Sequence, residues 1–286
     1  MEDVQELTNQ VTGASPASDA GGVQAGAWLL ELSLDWIVLR ASENVHHLLG
    51  ESHVTLIDEP LGRFVQAQAL HDLRNLFSRL SGTTGIGRAY GVRLTGEHEF
   101  VDIAFQLAGG RVLFEAVPSA GSFGEAFGTV GGLIAGLANN HGQSLLDGAA
   151  RRMRALTGYD RVTLRCGHKR AESSRGALGS ADTDADLPVM IADTRGESVA
   201  IFPRARNDEA SRAALLCAPE GEALQALEAS GIRSTLRVPF KADGVNGEFR
   251  CESRTPRPPS LEIHAAAELF AQLVALRLEM DGLKSR

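Results

Sequence analysis

The sequence predicts an α+β fold in which antiparallel sheets are flanked by helices. Three strand-like runs lie close together in the first half of the chain, at 88–94, 100–107 and 111–117. A strand–turn–strand pattern follows at 231–253, with segments of helical spacing before and after it. Strands joined by short turns pair antiparallel, and the apolar faces of such helices must be buried against the sheets.

The first group of elements is typical of one small domain. Two β-rich runs, 27–32 and 36–40, flank a short polar turn and predict a hairpin. Helices are predicted over 41–50 and 60–80, and the three strands follow, with Gly109-Gly110 as the tight turn between the last two. A hairpin, helices and three antiparallel strands in this order indicate a PAS-like domain.

The second group mixes helices and strands. Helices are predicted around 127–137 and over 145–156, followed by a strand at 161–166. The polar residues 167–186 are interpreted as a loop. The remaining elements before the closing hairpin are two strands and a helix, at 189–192, 199–202 and 220–230. Strands with flanking helices indicate a GAF domain.

The hairpin at 231–253 and a long helix close the predicted fold. Asp243-Gly244 supplies the positive φ angles of a tight turn. Prolines at 256, 258 and 259 end the sheet, and Ser260 is predicted to cap the helix. Apolar residues at helical spacing predict a single stripe that needs a partner: Leu269, Phe270, Leu273, Leu276 and Met280.

The chain therefore divides into three predicted parts. A flexible arm rich in glycine, alanine and serine occupies 1–22, the PAS-like domain spans 23–120, and the GAF domain with its terminal helix spans 121–286. A chain of 286 residues is long enough for two domains that each bury a core.

Composition limits the class of protein. The net charge of −8 argues against an extended nucleic-acid-binding surface, which needs clustered lysine and arginine. Cys166, Cys217 and Cys251 are odd in number and widely spaced, as expected in a reducing compartment. The N-terminus lacks the features of a signal peptide, and the longest apolar run, 133–138, is too short to cross a bilayer. We expect a cytoplasmic protein with neither a membrane nor a nucleic-acid partner.

One acidic segment has the beginning of a calcium-binding loop. Asp182, Asp184 and Asp186 alternate as the first ligands of such a loop do. However, Leu187 stands where the loop requires glycine, and Asp193 stands where it requires glutamate. The segment is interpreted as a solvated acidic loop.

The other candidate ligands and motifs do not predict a metal or catalytic site. Cys166-x-His168 has no second nearby pair, and the adjacent His46 and His47 are expected to point to different sides of a short helix near His53. The sequence contains no nucleophile elbow, phosphate-binding loop or nucleotide-binding box of a histidine kinase. We therefore expect no bound metal and no enzymatic activity.

Several segments resemble motifs of the bacteriophytochromes, in the order in which that family has them. They lie at Val23–Leu32, Ala41–Asn44, Thr157–Val162, Gly231–Ser234, Cys251–Ser260 and Ala267–Val274. Matches run from about residue 7 to 280, so the chain resembles the PAS-GAF photosensory core of that family. The resemblance implies a bilin pocket in the GAF domain, dimerisation through GAF helices, and an N-terminal arm threaded through a GAF loop.

The chain departs from the family at the residues that hold the chromophore. Gln10 replaces the cysteine that attaches biliverdin, and glutamine has no nucleophilic thiol. Glu252 and Ser253 replace the paired histidines, and the family's pocket histidine has no counterpart within 219–227. The aspartate motif that organises the pyrrole nitrogens is missing as well. A glutamate beside anionic propionates adds repulsion.

Three functional hypotheses follow. The first is a phytochrome-like sensory or signal-transduction module without covalent bilin, which works through a partner protein or a separate output domain. In the second, the GAF pocket senses another small ligand or a non-covalent bilin. The third is a bilin-binding red/far-red photoreceptor. All three include homodimerisation through the long terminal helix and the helices over 123–156.

Overall fold

The computed structural model describes residues 21–80, 85–96, 99–121, 124–181, 187–204, 209–242 and 245–284. The strands of the described residues are β1 (Gly22–Gln24), β2 (Trp28–Leu32), β3 (Val38–Ser42), β4 (Gly87–Val92), β5 (Val101–Ala108), β6 (Arg111–Pro118), β7 (Arg161–Cys166), β8 (Lys169–Ser174), β9 (Met190–Ile191), β10 (Ser198–Phe202), β11 (Ser234–Ala242) and β12 (Val245–Ser253). The α-helices are α1 (His46–Leu49), α2 (His53–Leu56), α3 (Ala67–Ser78), α4 (Glu125–Ala135), α5 (Gly142–Thr157), α6 (Glu209–Arg212), α7 (Gly221–Ala229) and α8 (Leu261–Lys284). The predicted α+β class is confirmed.

The first sheet has seven strands in the order β1-β10-β3-β2-β6-β5-β4. Gly109 and Gly110 form the predicted turn between β5 and β6, with φ angles of +55° and +74° that suit glycine. One face is covered by the short helices and α3, through buried residues that include Leu48, Leu56 and Leu73. The opposite face belongs to the core that continues into the second half of the chain.

A segment from the second half of the chain crosses into the first sheet. Strand β10 lies between β1 and β3, although its residues fall in the predicted GAF domain. On the other side of β1, the Gln24 amide donates to the Leu216 carbonyl at 3.0 Å, and the Ala218 amide donates to the Gly22 carbonyl at 2.7 Å. The crossing segment, 198–218, therefore bonds both sides of β1. The arm through residue 20 lies outside the described residues.

The second sheet has the strand order β8-β7-β12-β11-β9. Helices α5 and α8 cover one of its faces and bury alternate apolar residues of the central strands, among them Leu164, Val238 and Phe249. The Asp243-Gly244 turn lies outside the described residues, but β11 and β12 pair along their whole length. At the start of α8, the Ile263 amide donates to Ser260 Oγ at 3.2 Å, so the predicted cap is confirmed.

Two predicted elements are wrong in extent or type. Residues 60–80 do not form one helix: a 3₁₀ turn at Leu61–Arg63 precedes α3, and the Gln66 amide donates outward to the Leu94 carbonyl at 2.7 Å. Residues 169–174 form strand β8 rather than part of a loop. An outer strand needs apolar residues only where it is covered, and in β8 only Ala171 is buried.

The apolar stripe predicted on α8 is divided between two faces of the helix. Phe270 is fully buried with Ala267, Ala271 and Val274 against the second sheet. Leu269, Leu276 and Met280 point away from this contact and are 44, 46 and 53% exposed. Neighbours in sequence such as Leu269 and Phe270 are 100° apart around a helix, so they cannot share one stripe.

Candidate functional site: the charged face of the second sheet

The face of the second sheet that does not contact α5 and α8 carries polar and charged side chains. Because side chains alternate along a strand, this face takes every second residue of β7, β11 and β12. Eight polar or charged residues of this face lie away from the β11–β12 turn: Arg161, Thr163, Arg165, Thr235, Arg237, Glu248, Arg250 and Glu252. We call this set the charged face. It includes Glu252, one of the two residues that the resemblance places in a chromophore pocket.

Arg161 and Glu252 form an ion pair at one end of the charged face. They are directly paired across β7 and β12, and Glu252 Oε2 accepts hydrogen bonds from Arg161 Nε at 2.7 Å and NH2 at 2.6 Å. Glu252 is only 2% exposed. The same guanidinium donates to the carbonyls of Leu178 and Gly179 at 3.0 and 2.9 Å. The charge of Glu252 is thus compensated inside the protein, and the pair attaches the segment after β8 to the sheet.

Two further arginines attach the chain between β8 and β11 to the second sheet. Arg237 Nε donates to Glu248 Oε1 at 2.8 Å, and its NH1 donates to the Leu187 carbonyl at 3.0 Å. Arg233, which precedes β11, binds both carboxylate oxygens of Asp193 at 2.8 and 2.7 Å. This bidentate hydrogen bond lowers the pKa of Asp193, so the carboxylate stays charged. Each of these arginines already has an acidic partner within the chain.

Ser253 lies on the opposite side of β12 from Glu252. Its hydroxyl donates to Asp160 Oδ2 at 3.2 Å and accepts from Arg257 Nε at 3.1 Å. Consecutive strand residues point to opposite faces, so the two residues that the resemblance aligns with paired histidines do not share one site. Only Glu252 belongs to the charged face.

Apolar residues complete the surroundings of this face. Five buried residues from the covering segments form a small cluster: Ala181, Leu187, Ile191, Leu227 and Ile232. Helix α7 contributes Leu227 to the cluster, whereas Glu222 in its first turn is exposed. The resemblance places the family's pocket histidine in this part of the chain. None of the residues 221–229 adds a buried charge beside the charged face.

Two of the cysteines, Cys166 and Cys251, are poorly suited to nucleophilic attack. Complete burial raises the pKa of Cys251 to about 12, and partial burial raises the pKa of Cys166. A thiol with a raised pKa stays protonated near neutral pH, and only the thiolate is a good nucleophile. Cys217, which belongs to the crossing segment, is half-buried. Gln10, which the resemblance places at the attachment position, lies outside the described residues.

The histidines near α1 differ from the prediction. The rings of His46 and His47 lie with their centroids 3.9 Å apart, so they do not point to different sides of the helix. The His53 ring stacks on Phe202 at 4.8 Å instead of joining them. Among the residues that the structure describes, no group of three or more metal-ligating side chains occurs. Asp182, Asp184 and Asp186 lie outside those residues.

A cavity of about 440 Å³ lies beside the charged face, where the crossing segment approaches β9. Its walls include Gly22, Val189, Ala214 and Cys217. Cavities of this size accommodate small organic ligands. Within the described part of the chain, no helix is long and apolar enough to span a membrane.

The arginines of this site were missed in the sequence, although a signal for them is present. Arg161, Arg237 and Glu252 each alternate with apolar residues along their strands. This period of two separates the face of the sheet that the helices cover from the charged face. The acidic partner of each arginine follows only from strand register. Sequence periodicity alone does not supply that register.

Comparisons with known proteins identify the fold. No protein-family model and no curated protein matches the chain. The chromophore-binding domain of an unusual bacteriophytochrome, RpBphP3 from R. palustris, superposes with a TM-score of 0.75 at 20% identity, covering 94% of this chain and 98% of that one. The chromophore-binding domain of Stigmatella aurantiaca phytochrome P1 gives a TM-score of 0.71 at 21% identity, covering 91% and 95%.

A longer solved structure gives the same result. The photosensory core module of Stigmatella aurantiaca phytochrome gives a TM-score of 0.74 at 21% identity, and the match covers 94% of this chain and 60% of that one. The chain thus has the fold of bacteriophytochrome chromophore-binding domains, as the sequence resemblance predicts.

Proposed function

We propose that this chain is a sensory-type signal-transduction module that works through a protein partner and holds no covalent bilin. The observation that carries the proposal is the buried Arg161–Glu252 pair. It occupies the charged face at a position where the bacteriophytochrome resemblance places a chromophore-binding histidine. The fold supports a sensory function, and the side chains of the charged face argue against a bound bilin chromophore.

The electrostatics of the charged face explain why a bilin would bind poorly. Bilin propionates are anionic and need cationic partners, but Arg161, Arg233 and Arg237 are each bonded to a carboxylate of the chain. Releasing Arg161 to a propionate would leave Glu252 buried without its counter-ion. Breaking a buried pair by removing one partner costs about 3–5 kcal/mol.

Neither the arm position Gln10 nor Cys251 supplies a suitable nucleophile for covalent attachment. Gln10 has no thiol. Cys251 is fully buried under α5 and α8, with a pKa raised to about 12 by that burial. A thioether forms by attack of a thiolate on the bilin vinyl or ethylidene group, which neither residue supports.

The proposal is tested by incubating the purified protein with biliverdin and recording zinc-dependent fluorescence after denaturing electrophoresis. We expect no fluorescent band from the wild type, whereas a bilin-binding bacteriophytochrome on the same gel gives one. We expect none from Gln10→Cys either, because the charged face remains occupied by its own ion pairs. A band from the wild type would overturn the absence of a covalent bilin, and a band from Gln10→Cys would overturn the role of the ion pairs.

The cavity of about 440 Å³ favours a second candidate function, the sensing of another small ligand. The cavity touches both β1 and the crossing segment, so a ligand there would contact both halves of the chain. Native mass spectrometry of protein purified from its own host distinguishes the candidates. A reproducible added mass that is lost on denaturation supports ligand sensing, and an unliganded mass supports the purely protein-binding module.

We also infer that two copies associate through α8. Leu269, Leu273, Leu276 and Met280 recur at intervals of four, three and four residues; Leu269, Leu276 and Met280 are exposed, whereas Leu273 is partly buried against the core. This spacing is that of an a/d seam, which packs against an identical helix. A second copy is the occupant that supplies such a helix by symmetry.

A further inference from the structure

Strand β8 is the outer strand of the second sheet, and its surroundings are strongly basic. Residues 151–175 contain eight arginine and lysine residues and two acidic residues, in a chain whose net charge is −8. This segment comprises the second half of α5, the β7–β8 hairpin and the residue after it. Helix α5 packs on β8, so most of these charges lie near this edge of the sheet, whereas Arg161 is buried in its pair with Glu252.

The hairpin geometry determines which backbone groups of β8 face away from β7. Cys166 pairs with Lys169 across a two-residue turn, in which Gly167 has a φ of +57°. A two-residue turn closes on a hydrogen-bonded pair, and such pairs alternate along an antiparallel ladder. Lys169 and alternate residues after it therefore bond to β7. The amides and carbonyls of Arg170, Glu172 and Ser174 point outward.

These outward groups are available along most of β8. Gln143 Nε2 donates to the Arg170 carbonyl at 3.0 Å, which occupies one acceptor at the turn end. Within the described residues, no backbone hydrogen bond from outside the β7–β8 ladder reaches Glu172 or Ser174. Both residues are exposed. A further strand can pair at this edge without displacing any described element.

The side chains around this edge favour an acidic partner. Arg151, Lys169, Arg170 and Arg175 are all exposed. Arg170 also lies directly opposite Arg165 across the ladder, and like charges in that position repel each other. Glu172 offsets part of this charge through a 3.2 Å ion pair with Arg170, in which both side chains are largely exposed. Solvent weakens such a pair, so a net positive potential remains.

We propose that the outer edge of β8 binds an extended acidic segment of a partner protein as an added strand. The backbone groups of Glu172 and Ser174 pair with that segment, and the surrounding arginines bind its aspartate and glutamate side chains. This inference deepens the protein-binding role proposed above by naming a surface and the chemistry of its partner. It does not depend on whether a bilin is bound.

The test uses the full chain and a fluorescent ten-residue peptide of alternating glutamate and valine, with binding followed by anisotropy. Glu172→Pro and Glu172→Gln form the central comparison, because both remove the same charge but only proline removes the outward amide. Proline is tolerated at an outer strand where the amide faces solvent. Arg170→Glu tests the charge requirement, and Arg79→Glu, an exposed arginine beyond α3, is its matched control.

Strand addition predicts that Glu172→Gln binds at least as tightly as the wild type, because an acidic residue has been removed. Glu172→Pro and Arg170→Glu should each bind about tenfold more weakly, since a lost pairing or charge contact is of the order of 1.4 kcal/mol. Arg79→Glu should bind like the wild type. Equal binding by the proline and glutamine variants would overturn strand addition, as would equal binding by Arg170→Glu and Arg79→Glu.

Two further measurements keep the proposal falsifiable if Glu172→Pro does not fold. In the wild type, saturating peptide should slow hydrogen exchange at the Glu172 and Ser174 amides, and unchanged exchange would overturn the proposal.

A single-stranded oligonucleotide serves as the competing polyanion. Tighter binding of the oligonucleotide than of the peptide, without protection of these amides, would assign the edge to nucleic acid instead. Failure of the peptide to bind leaves the zinc-fluorescence result unaffected, so the two proposals fail separately.

Discussion

Glu115 is a buried carboxyl at the point where the crossing segment meets the first sheet. Its two oxygens accept hydrogen bonds from the amides of Leu215 and Leu216, both at 2.9 Å. Burial raises the pKa of Glu115 to about 7, although these two amides and the charge of Arg88 act in the opposite direction. The folded protein therefore binds this proton more tightly than the unfolded chain does, where the pKa is near 4.5.

This difference predicts a pH-dependent stability. Because the protonated form is favoured in the folded state, the free energy of unfolding falls as the pH rises from about 4.5 to about 7, by roughly 3 kcal/mol. Glu115→Gln keeps the shape and cannot titrate. Urea denaturation of both proteins between pH 4.5 and 8 should show the wild type losing stability relative to the variant. Parallel stability curves would contradict the assignment.

Glu252 shows what the structure adds to a residue singled out in the sequence. The sequence predicts repulsion between Glu252 and a propionate, and the structure adds that Arg161 already neutralises the glutamate. Sequence reasoning singled out Glu252 because the flanking motif resembles the family's text at that point. It missed the partner because Arg161 and Glu252 are 91 residues apart and meet only through the β7–β12 register.

At the scale of elements, those with regular apolar periodicity were predicted well. Strand β7 matches its predicted range of 161–166, and Gly158 ends α5 with a φ of +69° as expected of a C-terminal glycine. Strand β8 was missed because an exposed outer strand needs little apolar patterning. Its six residues include only one that is buried. Strand β8, whose outer edge is the proposed binding site for an acidic partner, was therefore not predicted from the sequence.

The exposed face of α8 gives a prediction about assembly. We expect sedimentation velocity to show the wild type at twice the 30.4 kDa of the chain. Leu276→Glu should give a monomer, because it places a charge within the proposed a/d seam. Leu34→Glu is the matched control, since Leu34 is 60% exposed on a turn of the first sheet. A wild-type monomer, or a dimer in Leu276→Glu, would contradict assembly through this face.

At the scale of the whole molecule, contacts between distant parts of the chain join the two sheets. Gln24 Nε2 donates to the Met190 carbonyl at 2.6 Å and to the Cys217 carbonyl at 3.0 Å. Arg88 of β4 reaches α8, where NH2 donates to His264 Nδ1 at 2.9 Å and lies 2.7 Å from Glu268 Oε2. Burial, and then the charge of Arg88, lower the pKa of His264 to about 3, so this histidine is neutral at physiological pH.

These long-range contacts mark the limit of the sequence prediction. The pairings β2–β3, β5–β6 and β11–β12 followed from predicted hairpins, in which neighbours in sequence are neighbours in space. The position of β10 between β1 and β3 did not, because nothing in Ser198–Phe202 specifies a partner more than 150 residues away. The family resemblance implied a threaded arm, and the described residues show the crossing segment bonded to both sides of β1.

The red/far-red difference spectrum tests the central claim most directly. The protein is co-expressed with a source of biliverdin, purified, and illuminated alternately with red and far-red light. Because Arg161, Arg233 and Arg237 are bonded to Glu252, Asp193 and Glu248, we predict a flat difference spectrum. A reversible pair of red and far-red bands would contradict the account and identify the chain as a photoreceptor.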